Sequence, residues 1–386
     1  MTLHEPSWDK AIAAAHAAAQ PRSRQMLPIS ECMGLTLASP LIAKANVPGF
    51  DTAMMDGWAV AGPAPWTIVG QVLAGSTGVD LLLGTAVGIA TGAPVPSGAD
   101  CVLRREWGTL EAGTLTTSHS LHTGLDIRVA GDEAKVGDVL LTAGTRVTPP
   151  IVGLAALVGV DVLEVHEPAT VGVLVMGDEL ITSGVPAFGE VRDALGVQLL
   201  AWTRDFACKQ LPVTYVEDTL DATIASIRDC TADVMFTTGG TARGPVDHLH
   251  SALEALGAEL IVDEVQVRPG HPMLLAALPD GRFLIGLPGN PLAAITGYLT
   301  LGVPLLSALA GRALPELDSC ITHEDINAPH QDRRIIPAHK VGDVATPTSF
   351  WGSAMLRGIA ESNCMLVSAP GGTKAGERVG VLPLPW

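Results

Sequence analysis

The chain has 386 residues, which is long for one hydrophobic core and predicts roughly two to four domains. Its formal net charge of −17, without a basic stripe, argues against a nucleic-acid partner. Six scattered cysteines without a C-x-x-C pair argue against a disulfide framework and a zinc site. Every long apolar run contains glycine, proline or charge, and residues 1–20 are typical of an amphipathic helix rather than a signal peptide. We therefore expect a cytoplasmic protein with no membrane partner.

Short elements are predicted along the first part of the chain. Residues 1–20 are predicted to form one helix, and residues 26–45 a helix and turn that lead into extended chain. From about residue 46 to 127, short apolar runs alternate with glycine and proline, which is typical of small antiparallel sheets in a barrel or sandwich. In residues 128–168, Pro149 and Pro150 open a predicted helix that is followed by a strand.

The pattern changes at residue 169. The run ATVGVLVMG (169–177) is almost continuously apolar, as expected of a strand buried on both faces of a parallel sheet. Predicted helices at 194–208, 219–230, 247–256 and 291–310 alternate with predicted strands at 211–216, 233–240, 261–268 and 282–290. This alternation predicts an α/β layered domain with a mostly parallel sheet. Short strands return after ALAGRALPELDS, which indicates a separate small β domain in residues 313–386.

Three predicted strand ends carry residues that suit a ligand. In open parallel sheets, ligands bind beyond the carboxyl ends of the strands. Glycines there let backbone N–H groups approach a ligand, and helix N-termini favour negative charge. The residues at these ends are Asp178 and Glu179, Gly239 and Gly240, Asp247, and Asn290 before Pro291. Each has a purely structural interpretation as a cap, turn or solvated loop, but their convergence on one crevice favours a site.

Carboxylates are the second feature of this predicted crevice. Asp193, Asp218 and Asp247 can add to the acidic set, and carboxylates beside a phosphate cradle suit Mg²⁺. His248 and His250 would point apart on a helix, which disfavours a shared metal. In the β region, Asp56 lies in a predicted turn and Thr91 in a predicted stiff loop. Taken alone, each is typical of an ordinary turn in a β domain.

Taken together, several motifs resemble those of the molybdenum insertase family of molybdenum-cofactor biosynthesis, which includes bacterial MoeA proteins and the E domain of gephyrin. The resemblance covers essentially the whole chain, and its motifs occur in the family's order. They are MMDGWAV (54–60), TGAPVPSGADCVLRRE (91–106), MGDELITSG (176–184), TTGGTARGPVDHL (237–249), GLPGNPLAAI (286–295) and GSAMLRGIAESNCMLV (352–367).

The resemblance implies a multidomain α/β fold. An elongated N-terminal α+β domain would comprise residues 1–45 and 128–168, with a small β domain inserted at 46–127. The α/β layered, mostly parallel molybdopterin-binding domain would span 169–312, and a β-barrel-like domain 313–386. It further implies a homodimer, with each active site built from the α/β domain of one subunit and the C-terminal domain of the other.

The resemblance also implies an activity. Family members bind adenylylated molybdopterin, hydrolyse the adenylate with Mg²⁺ to release AMP, and insert molybdate. A molybdopterin adenylyltransferase and recipient molybdoenzymes are the implied partners. The implied catalytic residues are Asp56, Glu179, Asp218 and Asp247, of which the last three would bind the metal. The implied substrate-binding residues are Thr91, Asp178, Gly239, Gly240, Arg268, His271, Pro288 and Asn290.

The turn in VDEVQVRPGHPMLL (262–275) departs from the family pattern. The family has lysines facing the anionic ligand where this chain has Glu264, Arg268 and His271. Arg268 can still grip an oxyanion, but Glu264 reverses the sign of the charge. Other departures, at Met176, Leu195, Ala242 and Glu133, cluster mostly in the predicted site rather than in the cores.

These departures leave three readings open. The chain is an active or modified insertase, a catalytically weakened or silent paralogue that binds a pterin, a nucleotide or a partner protein, or an enzyme for another anionic substrate. The carboxylates at Asp56, Glu179, Asp218 and Asp247 favour metal-assisted hydrolysis and hence the insertase class. A molybdopterin adenylyltransferase shares the T-x-G-G element but lacks the MDG motif and the C-terminal β region.

Overall fold

The computed structural model describes residues 2–76, 80–241, 248–314 and 316–384. The described chain before residue 46 forms β1 (Leu3–His4), α1 (Trp8–Ala17), β2 (Arg24–Pro28) and β3 (Leu41–Ile42). The helix predicted at 1–20 is thus shorter at both ends. The helix predicted at the start of 26–45 is wrong, because this segment is extended or turn apart from the 3-10 helix Ile29–Glu31.

Residues 46–127 contain a β region. Its strands are β4 (Thr52–Ala53), β5 (Gly57–Val60), β6 (Trp66–Val72), β7 (Thr85–Ile89), β8 (Cys101–Arg104), β9 (Gly108–Glu111), β10 (Thr114–Thr117) and β11 (Ile127–Arg128). One sheet has the order β8-β5-β7-β6-β10-β9, and β4 pairs with β11. These pairings are antiparallel, as predicted, except that β6 and β7 run parallel.

The following segment folds back onto the N-terminal one. Its elements are β12 (Val139–Leu141), α2 (Pro149–Leu157) and β13 (Val162–His166). Pro149 and Pro150 occupy the first turn of α2, as predicted, where their missing N–H groups cost nothing. β13 pairs with all of β2, and β12 pairs with β3. This long-range ladder, which local sequence does not reveal, explains why β2 is a strand rather than the predicted helix.

The central region contains strands and helices in alternation. In chain order they are β14 (Thr170–Met176), β15 (Leu180–Ile181), β16 (Val191–Arg192), α3 (Leu195–Trp202), β17 (Lys209–Gln210), β18 (Thr214–Val216), α4 (Leu220–Asp229), β19 (Val234–Thr238), α5 (Leu249–Ala255), β20 (Glu259–Asp263), β21 (Val267–Arg268), β22 (Leu274–Ala277), β23 (Phe283–Leu287), α6 (Pro291–Gly297) and α7 (Val303–Leu309).

Eight of the described strands form one sheet of order β1-β20-β22-β23-β19-β14-β17, with β18 also paired to β14. The pairings among β14, β17, β18, β19 and β23 are parallel, which confirms the predicted mostly parallel sheet. β22 runs antiparallel to both of its neighbours. The strand predicted at 261–268 is wrong in one respect: β20 ends at Asp263, and β21 leaves this sheet to pair with the C-terminal region.

Apolar side chains fill the space between the sheet and its helices. Phe236 and Tyr298 are fully buried, with ring centroids 5.7 Å apart, and the Tyr298 hydroxyl donates to the Trp202 carbonyl. A π-helix, Tyr298–Gly302, joins α6 to α7. The continuous helix Pro291–Leu309 is long and apolar enough to cross a membrane, but 94% of its most apolar window is buried in the protein. It therefore packs as a core helix of this domain.

The C-terminal region forms a closed barrel. Its elements are β24 (Asp318–Thr322), β25 (Ile326–Asn327), β26 (Arg333–Val341), β27 (Val344–Pro347), α8 (Arg357–Ala360), β28 (Cys364–Val367), β29 (Gly372–Thr373) and β30 (Arg378–Pro383). The ladder runs β26-β27-β24-β30-β28 and closes because β28 also pairs with β26. Closure removes exposed sheet edges, as the predicted barrel-like domain requires.

Phe236→Ala tests the packing of the central sheet. Because this ring is fully buried against Tyr298, its loss should lower the free energy of unfolding by about 3–5 kcal/mol. Native-state hydrogen exchange of the β19 amides measures the change. Phe188→Ala is the control, since Phe188 is fully exposed and its loss should cost less than about 0.5 kcal/mol. Equal effects of the two changes would contradict this core assignment.

Candidate functional site

Two acidic loops meet where β14 and β18 end. The strands are parallel neighbours, with Met176 paired to Val216, so the residues after them emerge side by side. The Asp178 amide donates to the Asp218 carboxylate at 3.3 Å, and the Asp218 amide donates to the Asp178 carboxylate at 3.2 Å. Glu179 folds back over the same strand end, because a Cβ on Gly177 would lie 2.8 Å from its Oε2. The structure thus brings together three of the predicted acidic residues.

The acidic cluster, defined as Asp178, Glu179 and Asp218, brings three carboxylates together at the strand ends. Burial raises the pKa of Asp218, and the nearby carboxylates of Asp178 and Glu179 raise it further. A hard divalent cation would remove this repulsion, and carboxylate oxygens are the protein ligands that Mg²⁺ prefers. The donor set therefore fits Mg²⁺. The predicted ligand Asp247 lies outside the described residues.

Asp193 does not belong to the acidic cluster. Its buried carboxylate accepts hydrogen bonds from the Leu195 and Gly196 amides at the start of α3. It also accepts one from the Tyr215 hydroxyl at 3.0 Å. These contacts satisfy the carboxylate within the fold, so Asp193 caps a helix rather than extending the acidic set.

A glycine cradle connects the ends of β19 and β23. Gly239 and Gly240 both adopt left-handed φ values, of 85° and 68°, which most side chains disfavour. The Gly239 amide donates to the Leu287 carbonyl at 2.8 Å, and a Cβ on Gly289 would lie 3.7 Å from the Gly239 Cα. The ends of β19 and β23 therefore meet at one edge of the sheet.

A cleft of about 380 Å³ separates the turn after β21 from the C-terminal barrel. The residues that line it include Arg268, His271, Pro288, Asn290, Arg334, Trp351 and Ser353. It is continuous with the glycine cradle along the chain, since Pro288 and Asn290 flank Gly289. The cleft brings a polar turn of the α/β region to a face of the barrel.

Arg268 and Arg334 give this cleft its positive charge. They are register partners in the parallel pairing of β21 with β26. Arg268 Nε donates to Asp332 Oδ2 at 2.9 Å, and the Arg334 guanidinium lies 5.4 Å from the Trp351 ring centroid. Arg334 Nε is buried without a hydrogen-bond partner among the described residues. The Arg334 guanidinium is therefore not fully paired with acceptors of the described chain.

The start of α6 differs from the sequence prediction. Pro291 occupies the first turn, as expected, but the Asn290 side chain makes no capping hydrogen bond. Instead the Leu292 and Ala293 amides donate to the Ser353 carbonyl at 2.8 and 3.3 Å. The barrel therefore caps this helix, and the Asn290 side chain faces the cleft.

The turn residues Glu264 and His271 have a partner that sequence reasoning missed. His271 Nε2 lies 3.1 Å from Glu5 Oε1 and 3.7 Å from Glu264 Oε2. Glu5 reaches this turn because β1 pairs with β20, a long-range contact that no local pattern shows. The sequence analysis also did not select Arg334 as a candidate site residue. The adjacent arginines Arg333 and Arg334, in a chain with few basic residues, were a pattern that could have indicated it.

Asp56 and Thr91 form a separate pair in the β region. The Asp56 carboxylate accepts hydrogen bonds from the Thr91 amide at 2.7 Å and the Thr91 hydroxyl at 2.8 Å. These bonds lower the pKa of Asp56. Within the described residues, no hydrogen bond or ion pair links this pair to Asp218 or Arg268.

These features define a class: a multidomain protein whose parallel α/β sheet carries an acidic cluster and a glycine cradle beside an arginine-lined cleft. Three family models match the chain in order. They are "MoeA N-terminal region (domain I and II)" at residues 6–159, "Probable molybdopterin binding domain" at 172–308 and "MoeA C-terminal region (domain IV)" at 320–384. The chain belongs to the MoeA family.

Named relatives agree with this assignment. Proteins called molybdopterin molybdenumtransferase from Staphylococcus epidermidis (strain RP62A) and Staphylococcus aureus (strain Mu50) are each 29% identical to the chain. The alignments cover 92% and 90% of this chain and 90% and 88% of those proteins. Two crystal structures of MoeA from Pyrococcus horikoshii share the fold, with TM-scores of 0.77 and 0.81 at 24% and 20% identity. Their alignments cover 99% and 98% of this chain and 99% of each structure.

Thr91→Val tests the geometry around Asp56. Losing the hydroxyl donor should raise the pKa of Asp56, because that bond stabilises the charged carboxylate. The pKa should remain below its ordinary value, since the Thr91 amide still donates. NMR titration of ¹³C-labelled aspartate carboxyls measures the shift, with Thr52→Val in β4 as the control. An unchanged pKa of Asp56 in Thr91→Val would contradict the described pair.

Proposed function

We propose that the protein inserts molybdate into adenylylated molybdopterin, in a Mg²⁺-dependent reaction that releases AMP. We further propose that it works as a cytoplasmic homodimer, receives its substrate from a molybdopterin adenylyltransferase and delivers the cofactor to recipient molybdoenzymes. The observation that carries the proposal is the pair of register-matched arginines, Arg268 and Arg334, facing a cleft that adjoins the glycine cradle. The name shared by the relatives, molybdopterin molybdenumtransferase, supports it.

Each part of the proposed site suits one part of this substrate. Arg268 and Arg334 would bind oxyanions, since a guanidinium offers paired donors to phosphate or molybdate. Gly239 and Gly240 let a phosphate approach the backbone closely, and Pro288 and Asn290 would border the pterin. Binding the substrate at several fixed points orients the adenylate for hydrolysis.

The acidic cluster would hold the metal. Asp178, Glu179 and Asp218 supply the carboxylates, with Asp247 as a further proposed ligand. When bound, Mg²⁺ neutralises phosphate charge and polarises the phosphorus–oxygen bond. The chain's own contribution is to keep these carboxylates together through the reciprocal amide bonds of Asp178 and Asp218.

Asp56 has a proposed catalytic role in the assembled homodimer. Thr91 orients its carboxylate and keeps it ionised, which suits a proton acceptor or a contact to a coordinated water. Because no hydrogen bond or ion pair among the described residues joins this pair to the acidic cluster, we propose that the subunit interface brings the two together.

A second candidate function is that of a weakened or silent paralogue that binds a pterin, a nucleotide or a partner protein. The observation that favours it is the charge of the turn. Two carboxylates, Glu5 and Glu264, surround His271 at the edge of the cleft, where a bound anion would be repelled. Tight binding of adenylylated molybdopterin without AMP release would support this second function.

Single-turnover AMP release separates these functions. With Mg²⁺ and molybdate present, wild type should release AMP, and Glu179→Gln or Asp218→Asn should slow release by on the order of 100-fold. The physical reason is that each change removes a proposed metal ligand. Chelation of Mg²⁺ should stop the reaction.

Asp221→Asn is the matched control, because Asp221 is an exposed aspartate at the start of α4, close in sequence to Asp218. Its rate should equal that of wild type. No AMP release by wild type, or equal rates in all variants, would contradict the proposed reaction or its metal site.

A further inference from the structure

Glu5, Glu264 and His271 form a compact cluster at the edge of the cleft, which we call the turn cluster. One ligand atom from each residue can be chosen so that all lie within 4.8 Å of one another. Glu5 is exposed, and Glu264 and His271 are half-buried. The cluster is distinct from the acidic cluster, because it lies beyond β20 and joins the N-terminal segment to the turn after β21.

The tautomer of His271 is fixed by the backbone. His271 Nδ1 lies 2.8 Å from the Val265 carbonyl oxygen, which can only accept a hydrogen bond. Nδ1 therefore carries the proton and donates it, and Nε2 points toward the two carboxylates. A backbone carbonyl that orients an imidazole in this way is the usual outer partner of a metal-binding histidine.

The turn that presents these groups is held by further backbone bonds. The Val265 amide donates to the His271 carbonyl, and the Glu264 amide donates to the Met273 carbonyl, each at 3.0 Å. On the other side, the Glu5 amide donates to the Asp263 carbonyl at 3.0 Å. The carboxylates and the imidazole are thus presented by anchored backbone from two separate segments.

His271 is the basic side chain closest to the carboxylates of the turn cluster. Within the described part of the chain, no lysine or arginine forms a salt bridge with Glu5 or Glu264. With a neutral imidazole, two carboxylates and the lone pair of His271 Nε2 are directed toward the same point. A cation at that point would relieve the repulsion.

The two distances from the imidazole nitrogen to the carboxylates are close to those between ligands of a first-row transition metal. Bonds of about 2.0–2.2 Å to such an ion place its ligand atoms about 3.0–3.6 Å from one another at octahedral or tetrahedral angles. The distances from His271 Nε2 to the two carboxylates, 3.1 and 3.7 Å, lie at or near this range. The imidazole nitrogen disfavours Mg²⁺ and Ca²⁺, which take oxygen ligands.

We propose that Glu5, Glu264 and His271 bind a divalent first-row transition-metal ion such as Zn²⁺, Mn²⁺ or Co²⁺. Three protein ligands leave open coordination positions, and His271 also lines the arginine cleft. The ion places positive charge where Glu264 and His271 otherwise leave a negative turn. This last consequence, attraction of an anionic ligand, rests on the proposed function, whereas metal binding itself does not.

The test is metal binding by the full chain, stripped with a chelator and studied without any pterin. Titration with Co²⁺, followed by its visible absorption, and with Zn²⁺ in competition, is carried out in excess Mg²⁺, which occupies the acidic cluster. It should show one further ion per chain with nitrogen ligation. Glu5→Gln and His271→Gln should each weaken binding at least tenfold. Circular dichroism and thermal unfolding in the absence of metal verify that each variant is folded. Glu5→Gln, at an exposed side chain, leaves the turn's backbone bonds intact.

His323→Ala and Glu324→Gln are matched controls, since both side chains are exposed and lie elsewhere in the barrel. Both should bind the ion like wild type. The proposal is overturned if no saturable binding occurs. It is also overturned if His4→Gln, beside the neighbouring Asp263, or Asp218→Asn in the acidic cluster abolishes binding while the turn-cluster variants retain it. Because no substrate is present, failure here leaves the AMP-release test of the proposed function intact.

Discussion

A short parallel pairing holds the arginine cleft together. Val267 and Arg268 pair with Arg333 and Arg334, so a strand of the α/β region joins the start of β26, before the residues that close the barrel. This pairing sets the register of the two arginines and draws Asp332 against Arg268. The barrel adds a second tie at α6, whose first amides donate to the Ser353 carbonyl. The geometry of the cleft therefore depends on backbone hydrogen bonds between two regions that are distant in sequence.

Three neighbouring parts of the structure carry charge of different sign. The cleft is positive through Arg268 and Arg334, whereas the acidic cluster beyond β14 and β18 and the turn cluster beside the cleft are both negative. The positive cleft suits an anionic substrate, and the two negative clusters suit divalent cations. In a chain with a net charge of −17, local placement of a few cations decides where an anion binds.

The sequence predicted the features that depend on local pattern and on the order of strands. Three strand ends were predicted at one edge of a sheet. The features that predicted them were the apolar run before Gly177, the glycines after β19 and Pro291 at the start of α6. Parallel neighbours end together, so the meeting of Asp178 with Asp218 followed from topology alone.

The features that the sequence did not predict depend on contacts between segments that are distant in sequence. β2 is a strand because it pairs with β13, and Glu5 reaches His271 because β1 pairs with β20. Ser353 replaces Asn290 as the cap of α6 because the barrel packs there. Residue type at 264 or 290 carries no information about such partners. The predicted cap at Asn290 was therefore wrong, and the contact of His271 with Glu5 was not predicted.

The most direct test of this account is calorimetric titration of adenylylated molybdopterin, with Mg²⁺, into wild type, Arg268→Ala and Arg334→Ala. The account predicts that each change weakens binding at least tenfold, because each removes a guanidinium from the cleft. Arg228→Ala, at an exposed arginine of α4, should bind like wild type. Unchanged affinity in both cleft variants would contradict the claim that the paired arginines bind the anionic substrate.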